Sequence, residues 1–402
     1  MSRLDDAQGR APVKTDKPWA IFLIFLRLGL TSFGGPVAHL GYFRDEFVAR
    51  RRWLGEAAYA ELIALCQFLP GPASSQVGMA LGLSRAGYWG ALAAWAGFTL
   101  PSALILTLLA LGITHGGWAL PAGLIHGLKI VAVAVVAQAV WGMARTLCRG
   151  PVQVGITLLA TAGVLLWPTM GGQLTVMAVA ALIGLVLLHN ANAAPREGLS
   201  IRVSRVAGWL AMAVFVTLLL GLPLIAHYWP DSLTSLFDRF YRTGALVFGG
   251  GHVVLPLLQS QVVSTGLLDN DVFLAGYAAA QAMPGPLFTF AAFLGASISG
   301  WSGALVCVLA IFLPSLLLVI GVLPFWQRLR GIGRVQAALA GVNAGVVGLL
   351  LAALYQPLWT TSILGPLDVL MAVLALMALL FWRCPPWLLV LLGGFCGVLL
   401  GA

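Results

Sequence analysis

The sequence is poor in charge. Only 9% of its 402 residues are Asp, Glu, Lys or Arg, whereas a soluble domain carries roughly 25%. Hydrophobic residues make up 60%, and the mean hydropathy is +0.97. A chain with so little charge cannot cover its surface for water. Its apolar runs of 18 or more residues therefore predict a polytopic membrane protein.

Lysine and acidic residues are especially scarce. Lys129 is the only lysine after Lys17, and of the thirteen acids we expect only Glu61 to be embedded in the protein. The formal net charge is nevertheless +9 because 22 residues are Lys or Arg. Most arginines stand in short loops, a pattern typical of the cytoplasmic side of a membrane protein. We therefore expect no nucleic-acid partner.

Residues for metal, disulfide or enzyme chemistry are also lacking. The five cysteines are scattered and no pair has metal-ligand spacing, so we expect them to pack as small apolar residues. No Walker-type phosphate loop is present. GWSG at 300–303 resembles the motif of intramembrane serine proteases, but such enzymes need a later histidine and none follows His252. The sequence predicts neither an enzyme nor a bound cofactor or metal.

Three blocks recur in the two halves of the chain, displaced by 215, 214 and 213 residues. They are FLRLGLTSFGG at 25–35 with FYRTGALVFGG at 240–250, QFLPGP at 67–72 with QAMPGP at 281–286, and LPS at 100–102 with LPS at 313–315. A nearly constant displacement indicates a duplication. The predicted organisation is a disordered cytoplasmic tail at 1–17, a repeat at 18–190, a basic loop with a linking helix at 191–232, and a second repeat at 233–402.

Each repeat contains six apolar segments in the same order, and one unmatched segment, 207–228, lies between the repeats. A single extra helix between two even-numbered halves would place them in opposite orientations, the plan of many secondary transporters. The predicted fold class is therefore an all-α polytopic membrane protein with two inverted repeats.

The arginines also bear on topology. If every segment spanned once, FRDEFVARRRW at 43–53 would lie outside, against the preference of arginine for the cytoplasmic side. The conflict disappears if 19–52 and 54–84 are re-entrant hairpins on the cytoplasmic face and their repeat partners enter from outside. We favour four hairpins and nine spans, with the N-terminus cytoplasmic and the C-terminus outside. Thirteen single spans remain the alternative.

Helix-breaking residues lie in the middle of each hairpin. Pro70 and Pro72 each remove a backbone donor, and Gly71 permits conformations that other residues avoid. The FGG sequences at 33–35 and 248–250 would break the other pair of hairpins. Half-helices that start after these tips point free N–H groups and a positive dipole end at them. The four tips therefore predict an anion site, with packing kinks as the alternative.

Polar residues near the tips are the candidate anion ligands. Arg27 and Arg242 each stand six residues before an FGG tip, and a guanidinium offers planar donors suited to an oxyanion. Their alternative role is as snorkelling interface arginines. The predicted substrate-binding residues are Arg27, Gly34, Gly35, Gln67, Gly71, Ser74, Ser75, Lys129, Arg242, Gly249, Gly250, Gln281, Gly285, Thr289 and Asn343, the last being the repeat partner of Lys129.

Three residues are candidates for a coupling proton, namely Glu61, His39 and His252. A histidine can change its charge near neutral pH. The alternative for each is a hydrogen-bonded core residue.

The tip sequences also resemble a known family. SFGGPVAHLGYFRDEFV with LCQFLPGPASSQVG, and VFGGGHVVLPLLQSQVV with GYAAAQAMPGPLFTFAAFLG, are similar to the two signatures of the chromate ion transporter family. The resemblance implies a multi-pass protein of the bacterial inner membrane that exports chromate and confers chromate resistance. It also implies sulfate as a competitor or exchanged ion, as in an antiporter, and protons as coupled ions. A channel of the same fold is the alternative, and the sequence leaves a homodimer open.

Overall fold

The computed structural model describes residues 16–33, 35–114, 121–188, 201, 203–229, 232–248, 254–329, 332–382 and 384–400. These residues form α-helices joined by short turns, and no strand occurs among them. The predicted tail at 1–17 lies outside the described residues except for 16 and 17. The helices are α1 Pro18–Thr31, α2 Gly35–Phe43, α3 Glu56–Phe68, α4 Ala73–Thr114, α5 Ala122–Leu147, α6 Pro151–Leu166, α7 Met170–Leu187, α8 Arg205–Tyr228, α9 Leu233–Leu246, α10 Val254–Val262, α11 Asn270–Ala282, α12 Phe290–Val322, α13 Trp326–Leu329, α14 Gly333–Ala353, α15 Thr360–Ser362, α16 Pro366–Leu380 and α17 Pro386–Leu400.

Five helical stretches are long and apolar enough to cross a membrane. A hydrocarbon core about 30 Å thick needs about 20 apolar residues in a helix, because backbone groups in lipid must be paired within the segment. The predicted all-α membrane protein is thus confirmed. The stretches are Ala73–Thr114, Ala122–Leu147, Arg205–Tyr228, Leu287–Phe325 and Gly333–Ser362.

Two of these stretches contain a sharp turn. In α4 the backbone leaves helical geometry at Ala86 and at Gly87, where φ is +62°. In α12 the same torsion angles recur at Ser299 and Gly300, 213 residues later. A Cβ added to Gly82 would overlap the carbonyl of Gly90, eight residues away and about 12 Å distant in a continuous helix. Each stretch is therefore a short helix that turns back into a long one.

The chain also reverses between α1 and α2. Across this break, the Phe25 ring lies 5.6 Å from the Phe43 ring and 5.1 Å from the Phe47 ring, between centroids. Phe47 belongs to a π-helical segment, Arg44–Arg50, that continues α2. The segments before and after the break therefore pack side by side.

The ends of these segments meet at Arg85. Its Nε donates to Asp16, just before α1, at 2.9 Å. Its guanidinium also lies 5.1 Å above the ring of Trp53, just before α3. The start of α1, the start of α3 and the turn in α4 therefore lie at one end of the molecule.

Helices of the two repeats pack against each other through small residues. The α5, α6 and α7 helices of the first repeat contact α14, α16 and α17 of the second. A Cβ on Gly184 would lie 2.5 Å from the carbonyl oxygen of Ala337, and one on Gly127 would overlap the carbonyl of Gly393. Close backbone approach at small residues is typical of helix packing in membranes. At each of these glycines, a helix of the first repeat thus closely approaches a helix of the second.

Candidate functional site

The Pro-Gly-Pro turn of each repeat is bonded to the other repeat. The Gly71 N–H donates to the carbonyl oxygen of Val247 at 2.6 Å, and the Gly285 N–H donates to that of Ser32 at 3.0 Å. Ser32 and Val247 each directly precede an FGG sequence. The breaks at the four predicted tips are therefore joined in two reciprocal pairs.

The Leu-Pro-Ser blocks lie against the same turns. A Cβ on Gly71 would overlap the Ser315 hydroxyl, and one on Gly285 would lie 2.9 Å from the Ser102 Oγ. Gly71 and Gly285 also have φ values of +114° and +101°, a region that side chains disfavour. Only glycine suits these turns. The sequence analysis used Leu-Pro-Ser solely as a mark of duplication and missed this contact.

A buried hydrogen-bond network surrounds the first of these turns. His39 Nε2 lies 3.2 Å from the Ser32 carbonyl oxygen, and His39 Nδ1 lies 3.4 Å from Ser74 Oγ. Because a carbonyl only accepts, a neutral His39 carries its proton on Nε2 and accepts from Ser74 on Nδ1. Gln76 Nε2 donates to the Pro70 carbonyl at 2.6 Å and lies 3.5 Å from Ser315 Oγ. The predicted residues His39 and Ser74 are thus brought together at the tip.

Four polar atoms in this region are buried without a protein partner among the described residues. They are the hydroxyls of Ser32, Ser75 and Thr99 and the Oε1 of Gln76. Burying a hydroxyl without a hydrogen bond costs about 1–3 kcal/mol, so nearly all buried polar groups are paired. Each of these three hydroxyls therefore has a proton that it could donate to a ligand oxygen.

Among the described residues, the second repeat does not contain a matching polar network. Val254, Phe288 and Phe290 stand where the first repeat has His39, Ser74 and Gln76, and all three are buried. Thr289, the partner of Ser75, donates to the Pro286 carbonyl at 2.7 Å. Apart from Ser315, the polar side chains of this network therefore come from the first repeat. A comparison of the two repeats for differences, rather than likenesses, would have shown this from the sequence.

The two duplicated arginines have different surroundings. Arg27 is exposed on α1, whereas Arg242 on α9 forms an ion pair with Asp238, whose side chain is only 2% exposed. Leu23 stands at the first-repeat position of Asp238. The structure therefore separates two residues that the sequence treated as equivalent.

The other predicted ligands lie apart from the network or outside the described residues. Gln67 is exposed at the end of α3, Gln281 donates to the Tyr277 hydroxyl at 2.8 Å, and Asn343 is half-buried on α14. Gly35 has a φ of +76° with open space around it. The residues outside the described part of the chain are Gly34, Gly249, Gly250 and His252.

The expectation that Glu61 is the only embedded acid is wrong. Glu61 is buried and accepts from Trp326 Nε1 at 3.1 Å, but Glu46, Asp238 and Asp368 are buried as well. Each lies close in sequence to features typical of a surface, which are arginines for Glu46 and Asp238 and a helix start for Asp368. An arginine or an imidazole compensates each charge, and sequence alone did not reveal those partners.

A second group of polar residues joins the repeats beside α5. Lys129 forms an ion pair with Asp271 of α11. One turn earlier, His126 Nε2 donates to Asp368 Oδ1 at 2.9 Å. The four side chains line a cavity of about 560 Å³. The sequence analysis missed His126 and Asp368, although residues three apart share a helix face.

Another cavity, of about 370 Å³, has a polar lining that includes Gln173, Gln259, Ser260 and Asn270. Gln259 Nε2 donates to Asn270 Oδ1 at 2.8 Å. The remaining polar lining comes from Ser264, Gln356 and Thr361. Most of these residues lie in or beside loops without Lys or Arg.

Comparisons with known proteins agree with the tip sequences. The sequence profile of the chromate transporter family matches residues 19–185 and 234–398. The chromate transport protein of Pseudomonas aeruginosa is 31% identical over 340 residues, which cover 82% of this chain and 78% of that protein. The probable chromate transport protein of Synechococcus elongatus is 29% identical over 345 residues, 81% of this chain and 80% of its own. The chromate transport protein of Cupriavidus metallidurans is 28% identical over 335 residues, which cover 82% of this chain and 79% of that protein.

No solved structure matches the chain. The profile nevertheless covers both repeats, and its two matched blocks contain all the described turns and network residues at the tips. The chain therefore belongs to the chromate transporter family.

Proposed function

We propose that this protein is a secondary active transporter that exports chromate across the bacterial inner membrane and so confers chromate resistance. Support comes from the family match over both repeats and from relatives named chromate transport proteins. Sulfate, a tetrahedral dianion of similar shape, is the expected competitor or exchanged ion. The matched family is one of transporters, which fits the absence of a predicted enzyme site.

The proposed architecture is a pair of inverted repeats, 18–190 and 233–402, joined by the segment 191–232. In it, α1 with α2 and α3 with the first part of α4 are re-entrant hairpins. The contacts of Arg85 with Asp16 and Trp53 support this arrangement, since they bring the open ends of both hairpins to one side. The arginines of 43–53 make that side cytoplasmic, with the N-terminus.

The proposed substrate site lies at the first-repeat turn, where the unpaired hydroxyls are buried. This single observation carries the assignment. Ser32, Ser75 and Thr99 each have a hydroxyl proton to donate, and a chromate oxygen accepts without donating. The short helices that start at Ala73 and Leu287 add partial positive charge near the two turns. Neutral donors and helix dipoles would replace part of the hydration of the anion.

The full charge of the dianion also needs a cation. The candidates are the buried Lys129 and the half-buried Arg242, and each is paired with a carboxylate. The side chain of Asp271 is 55% exposed while that of Lys129 is 11% exposed. Asp271 can therefore turn into water at little cost and leave Lys129 to an arriving oxyanion. We propose Lys129 as a transient partner and Arg242 as the cation nearer the tips.

The membrane potential favours export of a dianion. Moving one charge through 100 mV is worth about 2.3 kcal/mol, so two negative charges leaving a negative interior gain about 4.6 kcal/mol. One-for-one exchange against external sulfate would move no net charge, so the sulfate gradient rather than the membrane potential would then drive export. Export driven by the potential needs no nucleotide site.

Everted membrane vesicles loaded by uptake of labelled chromate test the proposal. We expect uptake to saturate with chromate concentration and to fall when the membrane potential is collapsed. We also expect the rate of uptake to change when sulfate is placed inside the vesicles. A proton-gradient uncoupler measures any proton contribution. Uptake that rises linearly with chromate concentration would favour a channel, and no uptake above that of empty membranes would refute the proposal.

A further inference from the structure

The His126–Asp368 pair connects the two repeats at the cavity beside α5. Asp368 Oδ2 accepts from the backbone N–H groups of Leu364 and Gly365 at 2.8 and 3.0 Å. Its Oδ1 accepts from His126 Nε2. Three donors hold this carboxylate in position, and they stabilise its ionised form. The imidazole therefore faces a fixed negative charge.

His126 is more exposed than two residues predicted for proton coupling. A coupling group must exchange its proton with the solution. The side chain of His126 is 15% exposed and lines the 560 Å³ cavity. His39 is fully buried and Glu61 is 2% exposed. Of these three residues, His126 is the most exposed, and it lines a cavity through which a proton could reach it.

The charge of this cavity depends on His126. Its charged lining residues are Lys129, Asp271 and Asp368, and α14 and α17, which also pack on α5, contribute no charged residue to it among the described ones. With His126 neutral, the lining carries one net negative charge. With His126 protonated, the lining has no net charge, because the two positive side chains balance the two carboxylates. A dianion is repelled in the first state and tolerated in the second.

We propose that His126, held by Asp368, is the proton-binding site of this protein, and that its protonation admits an oxyanion to the cavity where Lys129 lies. The inference rests on the proposed oxyanion transport. It adds to that function a defined proton site. It also predicts that the coupling is favourable, so that a bound proton strengthens anion binding and a bound anion strengthens proton binding. This reciprocity follows from linkage between two ligands on one protein.

Variants of opposite charge test the site. His126→Gln keeps a donor for Asp368 but is always neutral, whereas His126→Arg is always positive. The matched control is His227→Gln, since His227 is exposed on α8. The apparent KM for chromate uptake is measured in everted vesicles at pH 6 and pH 8. Chromate itself changes protonation in this range, equally for every variant, so each KM is divided by that of the control.

The expected pattern is crossed. For His126→Gln the relative KM is about 1 at pH 8 and rises three- to tenfold at pH 6. For His126→Arg it is about 1 at pH 6 and falls three- to tenfold at pH 8. A purely structural role would raise the KM or lower the amount of both variants at both pH values, and that result would overturn the proposal.

Histidine NMR of the purified protein gives a reading that does not need transport. The His126 signal is identified as the one that His126→Gln removes, and we expect it to shift between pH 5 and pH 8. A signal that stays constant over this range overturns the proton site even if chromate is transported. Vesicles without chromate uptake but with a titrating His126 would refute the proposed function and leave the proton site standing.

Discussion

At the scale of single residues, the tips combine two properties that rarely occur together. Ser75 is 3% exposed and Ser32 is fully buried, yet neither hydroxyl has a partner among the described residues. A side chain chosen for stability alone would be Ala here, because an unpaired buried hydroxyl is costly. The cost is offset if a substrate oxygen accepts from these hydroxyls during transport.

Replacement of Ser75 by Ala should separate binding from stability. We expect the KM for chromate to rise about tenfold, which corresponds to one charge-assisted hydrogen bond of about 1.4 kcal/mol. Thermal stability in detergent should be unchanged or higher, since an unpaired buried group is removed. Ser84→Ala, whose hydroxyl bonds Leu81 in the same helix, is the control and should leave the KM unchanged. An unaltered KM in Ser75→Ala would contradict the site.

The ion pair on α9 allows a test of Arg242. Arg242→Gln leaves the buried Asp238 unpaired and should destabilise the protein by about 3 kcal/mol, measured as thermal unfolding in detergent. The double variant Asp238→Asn/Arg242→Gln removes both charges and should regain most of that stability. If Arg242 binds the anion, the KM of the double variant stays at least tenfold raised. Recovery of the KM together with stability would make the pair purely structural.

Arg27→Gln completes that comparison. Because Arg27 is exposed, we expect a change of less than twofold in the KM for chromate. A larger change than at Arg242 would reverse the assignment and return Arg27 to the site.

At the scale of elements, the sequence located the breaks but not their partners. The end of the second predicted hairpin, at 84, lies beside the turn at Ala86–Gly87, and the equivalent turn of the second repeat lies at Ser299–Gly300. Such a break can be read locally because Gly acts on its own stretch of backbone. The bonds from Gly71 to Val247 and from Gly285 to Ser32 join residues more than 170 apart in sequence. No local pattern encodes such a pairing, although a duplicated chain favours the same contact at both equivalent positions.

The turns themselves should be intolerant of side chains. Gly71→Ala forces a Cβ against Ser315 at a φ of +114°, which costs about 1–3 kcal/mol locally and displaces the turn. We expect chromate uptake to fall at least tenfold while the amount of protein in the membrane stays within twofold. Gly285→Ala should be milder because its Cβ would keep 2.9 Å from Ser102 Oγ.

The control for these turns is Gly221→Ala, at a helical position on α8 with open space around it. It should keep full uptake and gain slightly in stability, since Ala favours a helix by about 1 kcal/mol over Gly. Full uptake by a Gly71→Ala/Gly285→Ala double variant would show that the tips do not take part in transport.

At the scale of the whole molecule, duplication was the strongest sequence signal and packing between repeats was the weakest. The profile of the family matches twice, at starts 215 residues apart, as the repeated blocks predicted. The contacts of α5 with α16 and α17 could not be read from the sequence, since apolar helices that face lipid and protein look alike. For the same reason, the sequence did not predict the contact between His126 and Asp368, which are 242 residues apart and meet only in the folded chain.

The remaining question at this scale is which side of the membrane each loop occupies. Ala49 is exposed in the arginine-rich segment that follows α2, and Ser264 is exposed in the turn after α10. With re-entrant hairpins the first is cytoplasmic and the second is outside. With thirteen single spans both assignments are reversed, so the two residues together distinguish the arrangements.

Single cysteines at these positions, in a variant lacking the five native cysteines, provide the measurement. A membrane-impermeant maleimide should label Ser264→Cys in intact cells and Ala49→Cys in everted vesicles only. Uptake of chromate by each variant confirms that it is folded. The segment 43–53 is expected on the cytoplasmic side because loops rich in arginine are retained there during membrane insertion. Labelling of Ala49→Cys in intact cells would therefore exclude the re-entrant hairpins. The segment that carries Gly71 would then not enter the membrane from the cytoplasmic side.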